Sequence, residues 1–86
     1  MTEPFTDNAS ESRFEYAVNG AIAFANYRRD GMTLYIDYVE APHALRGTGA
    51  AGRLMQSIMG FAQKEKLKVI PICGYAAAWM AKNKTA

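Results

Sequence analysis

The chain has 86 residues, of which half are hydrophobic and 21% are charged, with a formal net charge of +2. A chain of this length forms one domain, and its core is thin because a fold of this size buries only roughly 60–65% of the surface exposed by the unfolded chain. The charge is too small to indicate a nucleic-acid partner, no apolar run reaches the ~20 residues of a membrane span, and the N-terminus lacks the pattern of a signal peptide.

The N-terminal segment differs in composition from the rest of the chain. Residues 1–12, MTEPFTDNASES, are mostly polar, contain a proline and show no hydrophobic period. This composition predicts a flexible tail. The domain is expected to begin near Arg13 and to occupy residues 13–86, without an internal repeat or a second domain.

Three segments of alternating polarity follow, RFEYAV, AIAFANYRR and MTLYIDYV. The dipeptides Asn19-Gly20 and Asp30-Gly31 separate them, and both are typical of two-residue type I′ turns because these residue types tolerate positive φ. The segments therefore predict an antiparallel three-stranded meander. On its third strand the alternation predicts one face that carries Met32, Leu34, Ile36 and Tyr38.

The hydrophobic period changes after the meander. From Gly49 to about Glu65 apolar residues recur every three or four positions, which predicts an amphipathic helix. The apolar run Val69–Cys73 predicts a buried strand, parallel to the third meander strand because a crossover helix joins them. A short helix is expected from Tyr75 onward. The predicted fold is therefore an α+β order β-β-β-α-β-α, with a mixed sheet of three antiparallel strands plus one parallel strand and two flanking helices.

Residues 45–52, LRGTGAAG, form a glycine loop at the start of the predicted helix. A loop with few side chains lets several backbone N–H groups approach one ligand, and the helix N-terminus adds partial positive charge. This arrangement favours a phosphate or diphosphate. The alternative is a tight turn whose small residues only allow close helix–sheet packing. The loop is neither a Walker loop nor a dinucleotide-binding fingerprint.

Three ordered motifs in the chain resemble a known family. Arg46-x-x-Gly49-x-Ala51 resembles the Gln/Arg-x-x-Gly-x-Gly/Ala acetyl-CoA signature of the GNAT N-acetyltransferases. More narrowly, YVEAP, LRGTGAA and VIPICGY resemble the His-Thr-Glu-Val-Pro, Arg-Gly-x-Gly and Pro-Leu-Cys-Pro-Tyr/Phe motifs of very small GNAT-like proteins. The resemblance extends from about Phe14 to Trp79 and implies a minimal GNAT-like fold.

The resemblance implies a binding site for acetyl-CoA. Backbone amides from Arg46 to Ala51 would hold the diphosphate, and the main chain at Val39 and Ala41 would pair with the pantetheine arm and direct a donor at the thioester carbonyl. The cofactor-binding positions implied in this way are Val39, Ala41, Arg46, Gly47, Thr48, Gly49, Ala50 and Ala51. Candidates for the adenine or the ribose 3′-phosphate are Arg53, Lys82 and Asn83.

Two residues are candidates for the chemistry. Cys73 is either an apolar filler or a functional residue, which accepts the acetyl group as a thioester or positions the amine. Glu40 is either the base that deprotonates the amine, directly or through water, or a residue that caps the loop or pairs with Arg46. Tyr38 stands where the small family has a histidine, and Gly74 where it has a proline, so the histidine base of the family is absent.

The function implied by the resemblance is acetyl-CoA-dependent N-acetylation of an unidentified amine, on a small molecule or a protein, with direct transfer or transfer through acetyl-Cys73. The alternative is a CoA- or acyl-CoA-binding module without significant catalysis. A single cysteine excludes an internal disulfide, and no metal is expected. The expected partners include no nucleic acid and no membrane, and we expect a cytoplasmic monomer or weak homodimer.

Overall fold

A computed structural model of the chain describes residues 4–83, which form five strands and two α-helices. In chain order these elements are β1 (Phe5–Asn8), β2 (Arg13–Val18), β3 (Ala21–Asp30), β4 (Thr33–Glu40), α1 (Ala50–Glu65), β5 (Lys68–Pro71) and α2 (Gly74–Lys82). The strands lie in the order β1-β2-β3-β4-β5, with antiparallel pairing from β1 to β4 and parallel pairing of β5 with β4. The predicted mixed α+β sheet with a parallel last strand is confirmed.

Strand β1 is the main difference from the sequence prediction, which assigned residues 1–12 to a flexible tail and gave the sheet four strands. Phe5 pairs with Tyr16 of β2, and the Tyr27 hydroxyl donates a hydrogen bond of 2.6 Å to Asp7. Backbone pairing and this side-chain bond hold β1, and neither leaves a hydrophobic period in the sequence. The first three residues of the predicted tail and the last three of the chain lie outside the described residues.

The two turns of the meander are of different types. Asn19 and Gly20 both have positive φ, at 49° and 82°, as the predicted type I′ turn requires. The second turn lies one residue later than predicted, at Gly31 and Met32, because Asp30 is still paired with β4. Only Gly31 has positive φ there, which is the pattern of a type II′ turn.

A β-bulge in β4 changes the direction of its last side chains. The pairing with β3 passes from Ile36 directly to Tyr38, so Asp37 is an extra residue. Leu34 and Ile36 are fully buried, but beyond the bulge Val39 packs against the core and Tyr38 is 47% exposed. The prediction that Tyr38 shares the buried face is therefore wrong, because the bulge inverts the alternation.

The core lies between the sheet and the two helices. The sheet contributes Phe14, Ala23, Ala25, Leu34 and Ile36, the turn before α1 contributes Leu45, helix α1 contributes Ala50, Leu54, Met55, Ile58 and Ala62, and Leu67 and Ala76 complete the cluster. Helix α1 occupies the predicted segment and connects β4 to the parallel strand β5. Neither helix within residues 4–83 has both the length and the apolar composition that crossing a bilayer requires.

Candidate functional site

Strands β4 and β5 separate at a fork that lies at their carboxyl ends. Their parallel pairing ends at Ile36 and Pro71, so β5 ends two residues earlier than predicted. The carbonyl oxygen of Ile36 then accepts hydrogen bonds from the amides of Ile72 (2.9 Å) and Cys73 (3.0 Å). Beyond the fork, residues 38–40 pair only with β3 among the described residues, which leaves one backbone edge of β4 open.

A cleft of about 300 Å³ opens beside this edge, and we call it the fork cleft. Its walls come from β4, the glycine loop, α1 and α2. They are formed by Tyr38, Val39, Glu40, Ala41, Arg46, Ala51 and Tyr75. The fold therefore brings together five residues singled out from the sequence and adds two tyrosines. Of the other candidates, Gly47, Thr48, Gly49, Ala50 and Cys73 do not line this cleft.

Three of the amides from Arg46 to Ala51 donate hydrogen bonds within the glycine loop or to the turn before it. The Arg46 amide donates to the His43 carbonyl (3.1 Å), and the Thr48 amide donates to the Leu45 carbonyl (3.2 Å). The Thr48 hydroxyl donates to the same Leu45 carbonyl and accepts from the Ala50 amide at 3.3 Å. Ala50 is buried, at 1% exposure. The side chains of Thr48 and Ala50 therefore shape the loop.

The amides of Gly47, Gly49, Ala51 and Gly52 donate no hydrogen bond to any acceptor within residues 4–83. Gly47 and Gly49 have φ of 82° and 81°, and a Cβ on either would meet nothing within 4 Å. Glycine is therefore required there by backbone conformation, and the space beside the loop is open. The first turn of α1 holds no acidic residue, so the partial positive charge of the helix N-terminus is not neutralised. This arrangement suits an anion.

Tyr38 and Glu40 are hydrogen-bonded to each other at the mouth of the fork cleft. The Tyr38 hydroxyl donates to Oε1 of Glu40, and this bond, followed by the negative charge of Glu40, raises the pKa of Tyr38. No ion pair between Glu40 and Arg46 forms among the described residues. From the sequence, Tyr38 was identified only as the residue that stands in place of the family histidine. The bulge that turns its side chain outward has no clear sequence signature.

Cys73 lies at the fork, immediately before α2. It is the N-cap residue of that helix, and its carbonyl accepts from the Ala77 amide at 2.9 Å. Its side chain is partly buried and packs against the core. Tyr75, the second residue of α2, does line the fork cleft, and burial raises its pKa. The signal for Tyr75 was its place as the aromatic residue that closes the motif VIPICGY.

A second cavity, of about 690 Å³, lies between α1 and α2, and we call it the helix cavity. It is lined by Gly49, Gly52, Arg53, Gln56, Met59, Trp79, Met80 and Asn83. Arg53 and Asn83 were candidates from the sequence, whereas Lys82 is not among the lining residues. Because Gly49 lines the helix cavity and Ala51 lines the fork cleft, residues of the glycine loop contribute to both spaces.

Comparisons with known proteins identify the family of the chain and agree with its fold. A family model described as GCN5-related N-acetyl-transferase matches residues 13–86. The fold is similar to the NMR solution structure of a protein from Staphylococcus aureus named a "GCN5-like putative N-acetyltransferase", with a TM-score of 0.65 and 24% sequence identity over 95% of this chain and 82% of that chain. At this identity the structural likeness shows the fold alone. A search of curated proteins gave no match.

Proposed function

Because the chain belongs to the GCN5-related N-acetyltransferase family, we propose that it is an acetyl-CoA-dependent enzyme that acetylates an amine of a small molecule or a protein. One observation supports the proposal: the open backbone edge of β4 lines the fork cleft, and three of the four unpaired amides of the loop belong to residues that line this cleft (Ala51) or the helix cavity (Gly49 and Gly52). The edge suits an extended chain that contains amides, and the loop suits a diphosphate. CoA carries both groups in one molecule.

The diphosphate is assigned to the glycine loop. Of the six amides from Arg46 to Ala51, three are free to donate, those of Gly47, Gly49 and Ala51, and Gly52 adds a fourth. Each hydrogen bond to a charged group contributes about 1.5–3 kcal/mol. The dipole of α1 adds to this attraction. Four such donors hold a diphosphate without a lysine.

The pantetheine arm is assigned to the open edge of β4. Its amides would pair with the main chain at Val39 and Ala41 in the place that β5 vacates beyond the fork. A backbone donor of this edge, directed at the thioester carbonyl, would stabilise the oxyanion that forms on attack. Loss of one such donor costs about 10²–10³ in rate in other enzymes.

The adenosine end is assigned to the helix cavity, which begins at the other side of the same loop. Arg53 and Asn83 offer a cation and a hydrogen-bonding amide to the ribose 3′-phosphate and the base. Trp79 offers an aromatic surface, with its Nε1 only 3.6 Å from the position of a Cβ on Gly52. The amine would therefore approach the opposite end of the bound acetyl-CoA, where Glu40 lies.

Two routes transfer the acetyl group. In the direct route the amine nitrogen attacks the carbonyl carbon, the C–S bond breaks, and Glu40 accepts a proton from the nitrogen. In the covalent route the Cys73 thiolate attacks first and expels CoA as its thiolate; the amine then attacks the acetyl-cysteine, passes a proton to Glu40 and displaces the Cys73 thiolate. The position of Cys73 at the fork is compatible with the covalent route, although its side chain packs against the core and does not line the cleft.

The second candidate function is a CoA-binding module without significant catalysis. The lining of the fork cleft favours a binding module in one respect, because it contains no histidine and no cysteine. Two measurements on the wild type and Cys73→Ala distinguish the enzyme from the binding module. They are the intact mass of the protein after incubation with acetyl-CoA and the acetylation of a panel of amines. Acetylation of the protein that requires Cys73 supports the covalent route, and amine acetylation by both proteins supports the direct route.

Two further outcomes of the same experiment decide the alternative. Thermal stabilisation by CoA without transfer to the protein or to any amine indicates the binding module. If CoA neither stabilises the protein nor reacts, the proposed function is wrong.

A further inference from the structure

We propose that the acceptor is a polypeptide, which docks on the uncovered face of the sheet and presents a lysine amine to the fork cleft. The inference rests on the proposed function and deepens it, because it names the class of acceptor. Its basis is an apolar surface that begins beside Glu40 and extends away from the cleft across strands β4, β3 and β2.

The sheet has one face without a helix. Both α1 and α2 pack on the other side, where Phe14, Ala25 and Leu34 are fully buried. Side chains alternate along a strand, so the intervening residues point to the uncovered side, which we call the outer face. No outer-face residue of β1 to β5 is buried. The described part of the chain therefore leaves this face open to a partner.

Apolar side chains collect at the fork end of the outer face. Ala17 of β2 pairs with Ile22 of β3, and Phe24 lies opposite Glu40. The ring of Phe24 lies 6.3 Å from the ring of Tyr38. Ile22 is 42% exposed and Tyr38 is 47% exposed. We call Ala17, Ile22, Phe24 and Tyr38 the apolar strip. Because neighbouring strands lie about 4.8 Å apart, the strip extends roughly 10 Å across the sheet.

The charges beside the apolar strip show where the amine belongs. On the outer face Arg13 pairs with Glu15 at 2.9 Å, and Arg28 pairs with Asp37 at 2.8 Å. Both arginines are therefore already neutralised by acids of the same face. Glu40 forms no ion pair within residues 4–83. A partner that complements this surface brings a cation to Glu40 and an apolar group to the strip.

A polypeptide fits this surface better than a small amine or a second copy of the chain. An apolar centre with aromatic side chains and a polar rim is typical of protein-binding surfaces. A short diamine at Glu40 leaves the strip empty, whereas the residues beside a lysine in a peptide reach it. A second copy would bring two Glu40 carboxylates into one interface, with neither Arg13 nor Arg28 free to pair with them.

Acetylation of two blocked pentapeptides, Leu-Gly-Lys-Gly-Leu and Ser-Gly-Lys-Gly-Ser, tests the docking. We expect the kcat/KM of the wild type to be about tenfold higher for the leucine peptide, because apolar contacts at the centre of an interface contribute most to binding. Ile22→Thr keeps a β-branched residue on the strand but removes part of the apolar strip. The ratio of the two kcat/KM values should therefore fall toward one in this variant.

Met32→Thr is the matched control. Met32 is 57% exposed and lies in the turn before β4, at the end of the sheet opposite the fork. The variant loses an exposed apolar side chain like Ile22→Thr, but outside the strip. The preference for the leucine peptide should remain as in the wild type. An equal loss of preference in both variants would contradict docking on the strip.

Amide chemical-shift mapping of the leucine peptide in the presence of saturating CoA, which carries no acetyl group, measures docking without turnover. We expect changes at Ala17, Ile22 and Phe24, and none at Met32. Changes confined to other surfaces overturn the inference. So does faster acetylation of dodecylamine than of the leucine peptide, or a dimer that Ile22→Thr dissociates, because these results assign the strip to a lipophilic amine or to a second copy.

The same assays distinguish failure of the inference from failure of the proposed function. If the wild type acetylates 1,4-diaminobutane and both peptides equally well, docking on the strip is wrong and the proposed function stands. If CoA binds but no amine is acetylated, or if CoA does not bind, the proposed enzyme is wrong and the acceptor assigned to it is wrong as well.

Discussion

Gly49 and Gly60 differ in backbone conformation. Gly49 adopts φ of 81°, a conformation that L side chains rarely adopt, beside open space. Gly60 lies on the exposed face of α1 without positive φ, and a Cβ there would also meet nothing within 4 Å. A methyl group therefore has space at both positions, and the two glycines differ only in backbone conformation.

Alanine at these positions should have opposite effects on the free energy of unfolding. We expect Gly49→Ala to lower it by about 1 kcal/mol or more, because alanine is strained at positive φ. Gly60→Ala should raise it by about 0.5–1 kcal/mol, since alanine has the higher helix propensity. Urea denaturation measures both values. CoA affinity should fall for Gly49→Ala alone, and equal affinities would contradict a diphosphate-binding role for the loop.

At the level of single residues, the sequence predicted those parts of the site that depend on local motifs. Five of the ten candidates line the fork cleft because they belong to the two segments that meet there. Tyr38 and Tyr75 were missed as cleft residues. The orientation of Tyr38 depends on the bulge at Asp37, which is a property of the pairing with β3. A pattern of single residues does not encode that pairing.

Strand β1 illustrates the same limit for whole elements. Helix α1 was predicted from its period and strand β5 from its apolar run, although β5 is an edge strand with no fully buried residue and not the buried strand that was expected. In β1 the only large apolar residue is Phe5, whose ring stacks on Phe14 at 5.6 Å between centroids. The strand is further fixed by the bond between Tyr27 and Asp7 across the intervening strand β2. Contacts with residues this distant in sequence leave no local pattern.

Removal of the Tyr27 hydroxyl should therefore loosen β1. Tyr27→Phe leaves the stack on Phe14, at 4.3 Å, but deletes the hydrogen bond to Asp7. We expect a loss of about 1–2 kcal/mol in the free energy of unfolding and faster amide hydrogen exchange in β1. Tyr16→Phe is the control, since the Tyr16 hydroxyl makes no hydrogen bond within residues 4–83. Equal losses in the two variants would contradict the role of this bond.

The same bond predicts a dependence on alkaline pH. Burial, followed by the hydrogen bond to Asp7, raises the pKa of Tyr27 to about 12. In the unfolded chain the pKa of a tyrosine is about 10. Between these values the folded protein binds more protons than the unfolded chain, so stability falls as pH rises. The stability difference between wild type and Tyr27→Phe should thus be constant below pH ~10 and shrink above it, as denaturation at several pH values will measure.

For the molecule as a whole, the composition indicated a thin core, and the structure adds two cavities that are lined by the same loop. Arg46 and Ala51 line the fork cleft, and Gly49 and Gly52 line the helix cavity. A ligand with a central diphosphate and two extended arms matches this layout. The pattern of the sequence predicted the loop and both helices, but the relative position of the cavities depends on how α2 packs beside α1.

Amide chemical-shift mapping during titration with acetyl-CoA tests the proposed binding mode most directly, because the contacts proposed for the diphosphate and the pantetheine arm involve backbone N–H groups. We expect the largest changes at Gly47, Gly49, Ala51 and Gly52, with a second group at Val39 and Ala41. The amide of Thr48, which is already bonded within the loop, should change less than its glycine neighbours. Absence of shift changes in the glycine loop, or changes confined to residues outside the fork cleft and the helix cavity, would contradict the proposed binding mode.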